Sequence, residues 1–296
     1  MTLNVAAAAL SASASADAPK IAWRSIQSGV EHTLLGGGND GTGLDAGERL
    51  HVVRIDPGRA PLVAAMAKAG DKQRRTAAKW CRDRKLAVAI NLGMYATDYL
   101  TNVGHAHIPG HVNNSHWSSK YKSALAFVPK KQGIPGAVLL DLDEPGSKAR
   151  LGDYGAAVQN LRLIRAPGQN VWSKQERRWS EAAVAMDKQG RILFIFTRHP
   201  YIMKELNEKL LALPLGITNA MHVEGGPEAS LSIHAGGVDL DLNGSYESGF
   251  NENDGEAQQW PIPNVLGVGV ESAEPLPRKK AGGGTRLIAP AKPRPR

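Results

Sequence analysis

The chain has 296 residues, a formal net charge of +8, 42% hydrophobic and 22% charged residues, and a single cysteine, Cys81. This is ordinary globular usage with length enough for a real core. One thiol excludes an intrachain disulfide and a cysteine-based zinc site, and no run of 18 or more apolar residues exists to span a membrane.

Residues 1–19 hold a short apolar run, LNVAAAAL, and then small residues. Ala14 to Ala16 would suit a cleavage site, so an export signal or flexible leader is expected, and with it a periplasmic or extracellular protein. Residues 20–275 read as one domain. Strands are expected in IAWRSIQSGVEHTLL and LHVVRIDP, separated by a Gly- and Asp-rich loop without the spacing of a phosphate-binding P-loop. PLVAAMAK is a further strand. RRTAAKWCRDRK has helical spacing, with Ala77, Ala78, Trp80 and Cys81 on its apolar side. Leu86 to Ile90 is a continuous apolar run, as in a fully buried strand, and it breaks at Asn91 and Gly93. SALAFVP, AVLLDLD and AAVQNLRLIR are three more strands. The clearest hairpin is EAAVAMDKQGRILFIFTRH, turning at Asp187 to Gly190. A helix follows, with Ile202, Leu206, Leu210 and Leu213 at three- and four-residue steps until Pro214 and Gly216 stop it. NAMHV and VLGVGVES are the last strands. Residues 276–296 carry Arg278, Lys279, Lys280, Arg286, Lys292, Arg294 and Arg296 and read as a basic disordered tail. The tail supplies nearly all the excess charge, so no nucleic-acid-binding face is required. Strands dominate without regular alternation with helices. The expected class is α+β, a mixed or antiparallel β-sheet core with a few flanking helices.

Two strand ends have one form. AVAINLGMY runs apolar and stops at Asn91-Leu92-Gly93; NAMHVEGG runs apolar and stops at Glu224-Gly225-Gly226, with Glu228 just beyond. A buried strand holds a polar group at its end rigidly while leaving it open to solvent, and neighbouring glycines let backbone N–H groups approach a ligand. Asn91 and Glu224 are therefore expected to share a cleft, although turn-capping alone would also place Asn and Gly at such positions. NVGHAHIPGHVNNSHWSS holds His105, His107, His111 and His116. The His-x-His step puts two imidazoles on one side of an extended segment, and His111 would complete a three-histidine site for a divalent metal. Arg198 ends the hairpin strand, where its planar fork suits a phosphate. The acidic run around Glu247, Glu252, Asp254 and Glu256 departs from the spacing of a calcium loop and reads as solvated.

AINLGMY, TNVG, AAVAMDKQGRILFIF and HVEGGPEASL occur in this order at separations that resemble the phosphodiester glycosidase family, over about residues 21–271 and closest to its bacterial branch. The family's Asn-x-Gly strand end is matched by Asn91, Gly93 and Tyr95. Its Asp-Gly-Gly-Gly-Ser reads here Glu224, Gly225, Gly226, Pro227, Glu228. Where the family tends to place an arginine before the hairpin, this chain has Ser180 or Glu181, with Arg177 and Arg178 just upstream. The resemblance implies cleavage of a sugar 1-phosphodiester between the anomeric carbon and the phosphate oxygen, with Glu224 acting at the anomeric centre. It leaves the acid or base open among Glu228, Asp98 and His105. Gly225, Gly226 and Arg198 would meet the phosphate, and Asn91, Gly93, Tyr95 and His105 would help hold the substrate. The implied partner is a small or polymeric carbohydrate phosphate, and no cofactor is required. Two other readings remain open: a non-catalytic glycan- or polymer-binding module on the same scaffold, and a metallohydrolase built on the His105–His116 loop. Oligomeric state is not readable from the sequence.

Overall fold

The computed structural model describes residues 20–271 apart from 39, 46 and 174. The leader and the basic tail expected at 1–19 and 276–296 lie outside the described residues. Within them the chain forms three antiparallel sheets and three α-helices. The largest sheet has eight strands in the order Arg24–Gln27, Val30–Leu35, Leu50–Ile55, Ile192–Tyr201, Trp179–Asp187, Ile217–Gly225, Arg162–Arg165 and Gln169–Asn170. The second runs His111–Asn114, Ala106–Ile108, Tyr154–Asn160, Ser123–Pro129, Ala137–Asp141. The third runs Val238–Asn243, Ser230–Ala235, Leu86–Asn91, Asn264–Gly269, Leu62–Met66. Every strand pairing is antiparallel, so the expected α+β class holds.

The three sheets turn one face each towards a common apolar cluster. The large sheet contributes Val53, Val184, Phe194, Phe196, Met221 and Val223; the second, Leu125, Phe127, Leu139 and Val158; the third, Val88, Ile90, Leu231, Ile233 and Leu266. Strand side chains alternate between faces, so the neighbours of these residues face outward. On the large sheet those neighbours are buried as well. Ala183, Ala185, Leu193 and Ile195 pack under the Met203–Ala212 helix through Met203, Leu206 and Leu210. A strand buried on both sides has no polar face, which is why Leu193 to Phe196 reads as an unbroken apolar run. Each such side chain contributes about 2 kcal/mol by leaving water.

The Ala77–Arg84 helix covers the outer face of the third sheet. Thr76 caps it by accepting the Lys79 N–H at 3.1 Å, and Lys85 ends it in the left-handed region at φ 54°. Trp80 is fully buried against Ala89 and Val265 and donates its indole N–H to the Ile262 carbonyl at 3.1 Å. Cys81 lies beside it, and burial pushes its thiol up to about 12. No helix among the described residues is long and apolar enough to cross a membrane.

One expected element differs, and a hairpin appears that was not expected. AAVQNLRLIR is two strands in different sheets, Tyr154–Asn160 and Arg162–Arg165, because the chain crosses between sheets at Leu161. The stretch after Glu228 forms a hairpin, Ser230–Ala235 with Val238–Asn243. Its Gly236 sits at φ 61°, and a Cβ there would stand 2.5 Å from the Ile26 carbonyl oxygen. Arg24 ties the same turn to the large sheet by donating to the carbonyls of Gly236 at 3.1 Å and Gly237 at 2.9 Å. Gly236→Ala is expected to cost about 2 kcal/mol and to lower Tm by about 5 °C. An unchanged Tm in thermal unfolding would show that this turn is not held against the sheet.

Candidate functional site

Ile217–Gly225 is an interior strand of the large sheet, with Glu224 opposite Ala182 and Gly225 opposite Glu181. The chain then makes a single 3-10 turn, Gly226–Glu228, and enters the third sheet as Ser230–Ala235 beside Leu86–Asn91. The turn is therefore the link between two sheets. Asn91, the last residue of its strand and 1% exposed, clamps it. The Asn91 Nδ2 donates to the Glu228 carbonyl at 2.9 Å, and its Oδ1 accepts the Ser230 N–H at 2.7 Å. Both strand ends meet, as their shared form implies. The side chain of Asn91 is spent on backbone, however, so it positions Glu228 and is not free to hold a substrate hydroxyl.

The two glycines answer to close neighbours. A Cβ on Gly225 would stand 2.7 Å from Trp179 Cδ1, and one on Gly226, at φ 60°, would stand 2.7 Å from Glu247 Oε2. Trp179 and Glu247 therefore lie directly over the turn. The loop carrying Glu247 is held by Arg198, whose guanidinium donates to Asp254 Oδ1 at 3.0 Å and to the carbonyls of Asn243, Asp254 and Glu256 at 3.0, 3.0 and 2.8 Å. The expectation that Arg198 meets a phosphate is thus corrected: its donors are committed to the loop. The acidic run is likewise not merely solvated, since it delivers Glu247 to the turn.

Four carboxyls, Glu181, Glu224, Glu228 and Glu247, influence one another here. Glu224 is 8% exposed. Burial first, and then the charge of Glu228, hold its carboxyl well above the usual carboxylate range, against the pull of the Gly225 N–H at 3.2 Å. Glu228 is pushed up to about 7, chiefly by burial and also by Glu247, while its own N–H and the Tyr95 hydroxyl pull it down. Burial and these two carboxyls in turn raise the Tyr95 phenol, which stays protonated. Glu181 is fully buried and takes the Trp179 indole N–H at 2.7 Å and His222 Nδ1 at 2.8 and 2.9 Å. Trp172 meets Trp179 edge-on at 6.3 Å, giving the cluster an aromatic flank. Two arginines stand at its margin. Arg177 reaches Glu247 at 3.4 Å, and Arg74 lies 4.7 Å over the Tyr99 ring, near enough to lower Tyr95.

Gly93 sits beneath two buried amides: a Cβ there would stand 2.9 Å from Asn102 Nδ2 and 3.3 Å from Asn160 Nδ2. It is a packing glycine, and Asn160 Nδ2 is buried without a partner. Asp98 does not join the carboxyl cluster through any hydrogen bond. It caps its own turn, accepting from the N–H groups of Leu100 and Thr101 and the Thr101 hydroxyl, which hold its carboxyl down at about 2. That makes it a poor proton donor near neutral pH. His105 and His107 do fall on one side, with Nε2 and Nδ1 at 2.8 Å, and His105 stacks on Trp117 at 4.1 Å. Among the described residues no three His, Cys, Asp or Glu side chains are grouped to hold a metal ion. The expected His105–His107–His111 site is therefore not formed: the intervening Pro109-Gly110 turn folds His111 into the next strand, opposite Ile108. Glu181, His222, Trp179 and Glu247 were not among the expected site residues. Glu181, Trp179 and Glu247 reach the turn only through strand pairing and a long loop, which local spacing does not report; His222 lies on the Glu224 strand itself.

The chain belongs to the phosphodiester glycosidase family, whose model matches residues 84–269. Its fold is similar to the catalytic domain of zebrafish N-acetylglucosamine-1-phosphodiester alpha-N-acetylglucosaminidase, solved in a form auto-inhibited by its pro-peptide. The TM-score is 0.57 at 16% identity, covering 85% of this chain and 88% of that one. It is also similar to a hypothetical protein from Synechocystis, with TM-score 0.53 and 14% identity over 85% of this chain and 64% of that one. A search of curated proteins finds no match.

Two measurements test this geometry. Asn91→Ala leaves the buried Ser230 N–H unpaired and the Glu228 carbonyl with only the Ser230 hydroxyl at 3.1 Å, and is expected to cost about 2 kcal/mol, read as a fall in the denaturation midpoint; no change would remove the clamp. Glu228 has a folded pKa above its unfolded value, so the folded state holds the extra proton. Its contribution to stability is then unfavourable, small near pH 5 and growing until the pH passes about 7. Glu228→Gln is expected to raise Tm by about 5 °C at pH 8 and by less at pH 5. A rise that does not depend on pH would show that Glu228 ionises freely in the fold.

Proposed function

We propose that the protein is an exported hydrolase that cleaves the glycosidic bond of a sugar 1-phosphodiester at the Glu224–Glu228 pair. The observation that carries this reading is the pair itself. Two carboxyls from one clamped turn lie in a shared buried cluster, both raised by burial, with Glu224 the deeper of the two. Glycoside cleavage needs one carboxyl protonated and one ionised at the same pH. Glu224, the more buried, keeps its proton and donates it to the oxygen that leaves with the phosphate. Glu228, titrating near neutrality, is the carboxylate that faces the positive charge developing on the sugar ring. Tyr95 orients Glu228. Membership of the family supports the reaction class, and the aromatic flank of Trp172 and Trp179 suits the apolar face of a sugar.

That flank also favours a second reading, a glycan-binding module without turnover. Incubation with an aryl or sugar 1-phosphodiester separates the two. Turnover by the wild type and its loss by more than 1,000-fold in a folded Glu224→Gln variant supports the hydrolase; saturable carbohydrate binding with no release of product supports the module.

The pH dependence follows from the same pair. Activity is expected to rise through about pH 7 as Glu228 ionises and to fall at higher pH as Glu224 gives up its proton, the two limbs belonging to the coupled pair. A profile of kcat/KM that is flat from pH 5 to 9 would overturn this assignment of roles.

A further inference from the structure

A site that cleaves a phosphodiester must hold an anion, yet its buried core consists of carboxyls, and Arg198 is committed elsewhere. The only basic side chain buried in the cluster, among the described residues its contacts connect, is His222. It is 4% exposed and lies on the same strand as Glu224, two residues earlier. Its Nδ1 shares a hydrogen bond with the Glu181 carboxyl at 2.8 Å, and Trp179 fixes that carboxyl from a second direction by donating its indole N–H at 2.7 Å. The Trp179 ring also meets His222 edge-on at 6.3 Å. The orientation of the imidazole is thus set by Glu181 and Trp179. The other ring nitrogen, Nε2, has no hydrogen-bond partner among the described residues and is not among the side-chain atoms sealed from solvent.

Resting on the hydrolase reading above, we propose that His222, held by Glu181, is the phosphate-recognition residue of this site: its Nε2–H donates to a non-bridging oxygen of the substrate phosphodiester. The chemistry suits the place. An imidazole Nδ1–H donated to a carboxylate leaves Nε2 at the opposite edge of the ring. Burial and Glu247 both raise the Glu181 carboxyl, which favours a pair that is neutral overall. Such a pair holds one proton between Glu181 and Nδ1 and a second on Nε2, so Nε2 is a donor whichever of the two partners carries the shared proton. Glu181 is a positioning residue here, acting on substrate only through His222.

The test is phosphate binding, read on the histidine ring itself. Long-range proton–nitrogen NMR spectra of the full chain would be recorded with increasing inorganic phosphate and, separately, glucose 1-phosphate, at pH 6 and pH 8. Nε2 of His222 is expected to carry a proton when phosphate is bound and to shift saturably with either probe but not with glucose. Affinity is expected to fall at least tenfold in His222→Gln and in Glu181→Gln, with Tm measured on each variant. Where a variant fails to fold, the wild-type ring signals decide alone. An unprotonated Nε2 in the phosphate-loaded protein, or affinity unchanged in a folded His222→Gln variant, overturns the proposal. Turnover by the wild type and its loss in Glu224→Gln report separately on the hydrolase reading, so either can fail without the other.

Discussion

The double hydrogen bond from Asn91 to the backbone at Glu228 and Ser230 is the constraint on which the site rests. It joins the end of a third-sheet strand to a turn that leaves the large sheet. Without it, a Gly-Gly-Pro segment would have little to fix its path beyond the one turn of 3-10 helix. With it, Glu224 is held by its strand and Glu228 by its clamped carbonyl, and the two carboxyls have a fixed relation. Rigid placement of reacting groups is worth more to catalysis than any single contact with substrate.

Such placement is costly to the fold. Raised carboxyls are groups that would sooner be in water, and this site buries Glu181 and Glu224 together and half-buries Glu228. The surrounding structure offsets that cost with ordinary means: sheets buried on both faces, a helix packed over the outer side, and Arg198 anchoring the Glu247 loop. Glu181 differs from its neighbours, because His222 and Trp179 satisfy it. One carboxyl in the cluster thus has side-chain donors around it, while burial still raises it together with Glu224 and Glu228.

Much of the architecture was legible in the sequence because it is written in local pattern. Leu86 to Ile90 and the hairpin about Asp187 to Gly190 announce buried strands by apolar continuity, and the helix at Met203–Ala212 announces itself by spacing. The Ser230–Ala235 hairpin was legible but not expected. SLSIHA and VDLDLN alternate polar with apolar, Leu231 and Ile233 facing the common cluster and Ser230 and Ser232 buried on the other face, with Ser232 donating to Asp241 at 2.6 Å. That alternation, with Gly236-Gly237 carrying the turn, is the period-two mark of a strand pair. Of the site, Asn91, Glu224 and Glu228 were found because each sits where an apolar run stops. Glu181 and His222 were not, because the two are 41 residues apart and meet only across a strand pair. Arg198 shows the opposite failing: its strand runs on to Tyr201, and a guanidinium's partners depend on a loop whose path no spacing rule gives.

The buried thiol beside Trp80 has a bearing on how the protein is handled in air. Cys81 is the one cysteine in the chain, and with its ionisation pushed up to about 12 it offers almost no thiolate to an oxidant. Folded molecules can therefore meet oxygen, glutathione disulfide or one another without forming mixed disulfides or covalent dimers. Should such adducts accumulate, they would mark molecules in which the helix over the third sheet has opened, which makes this sulfur a built-in reporter of damage to that layer.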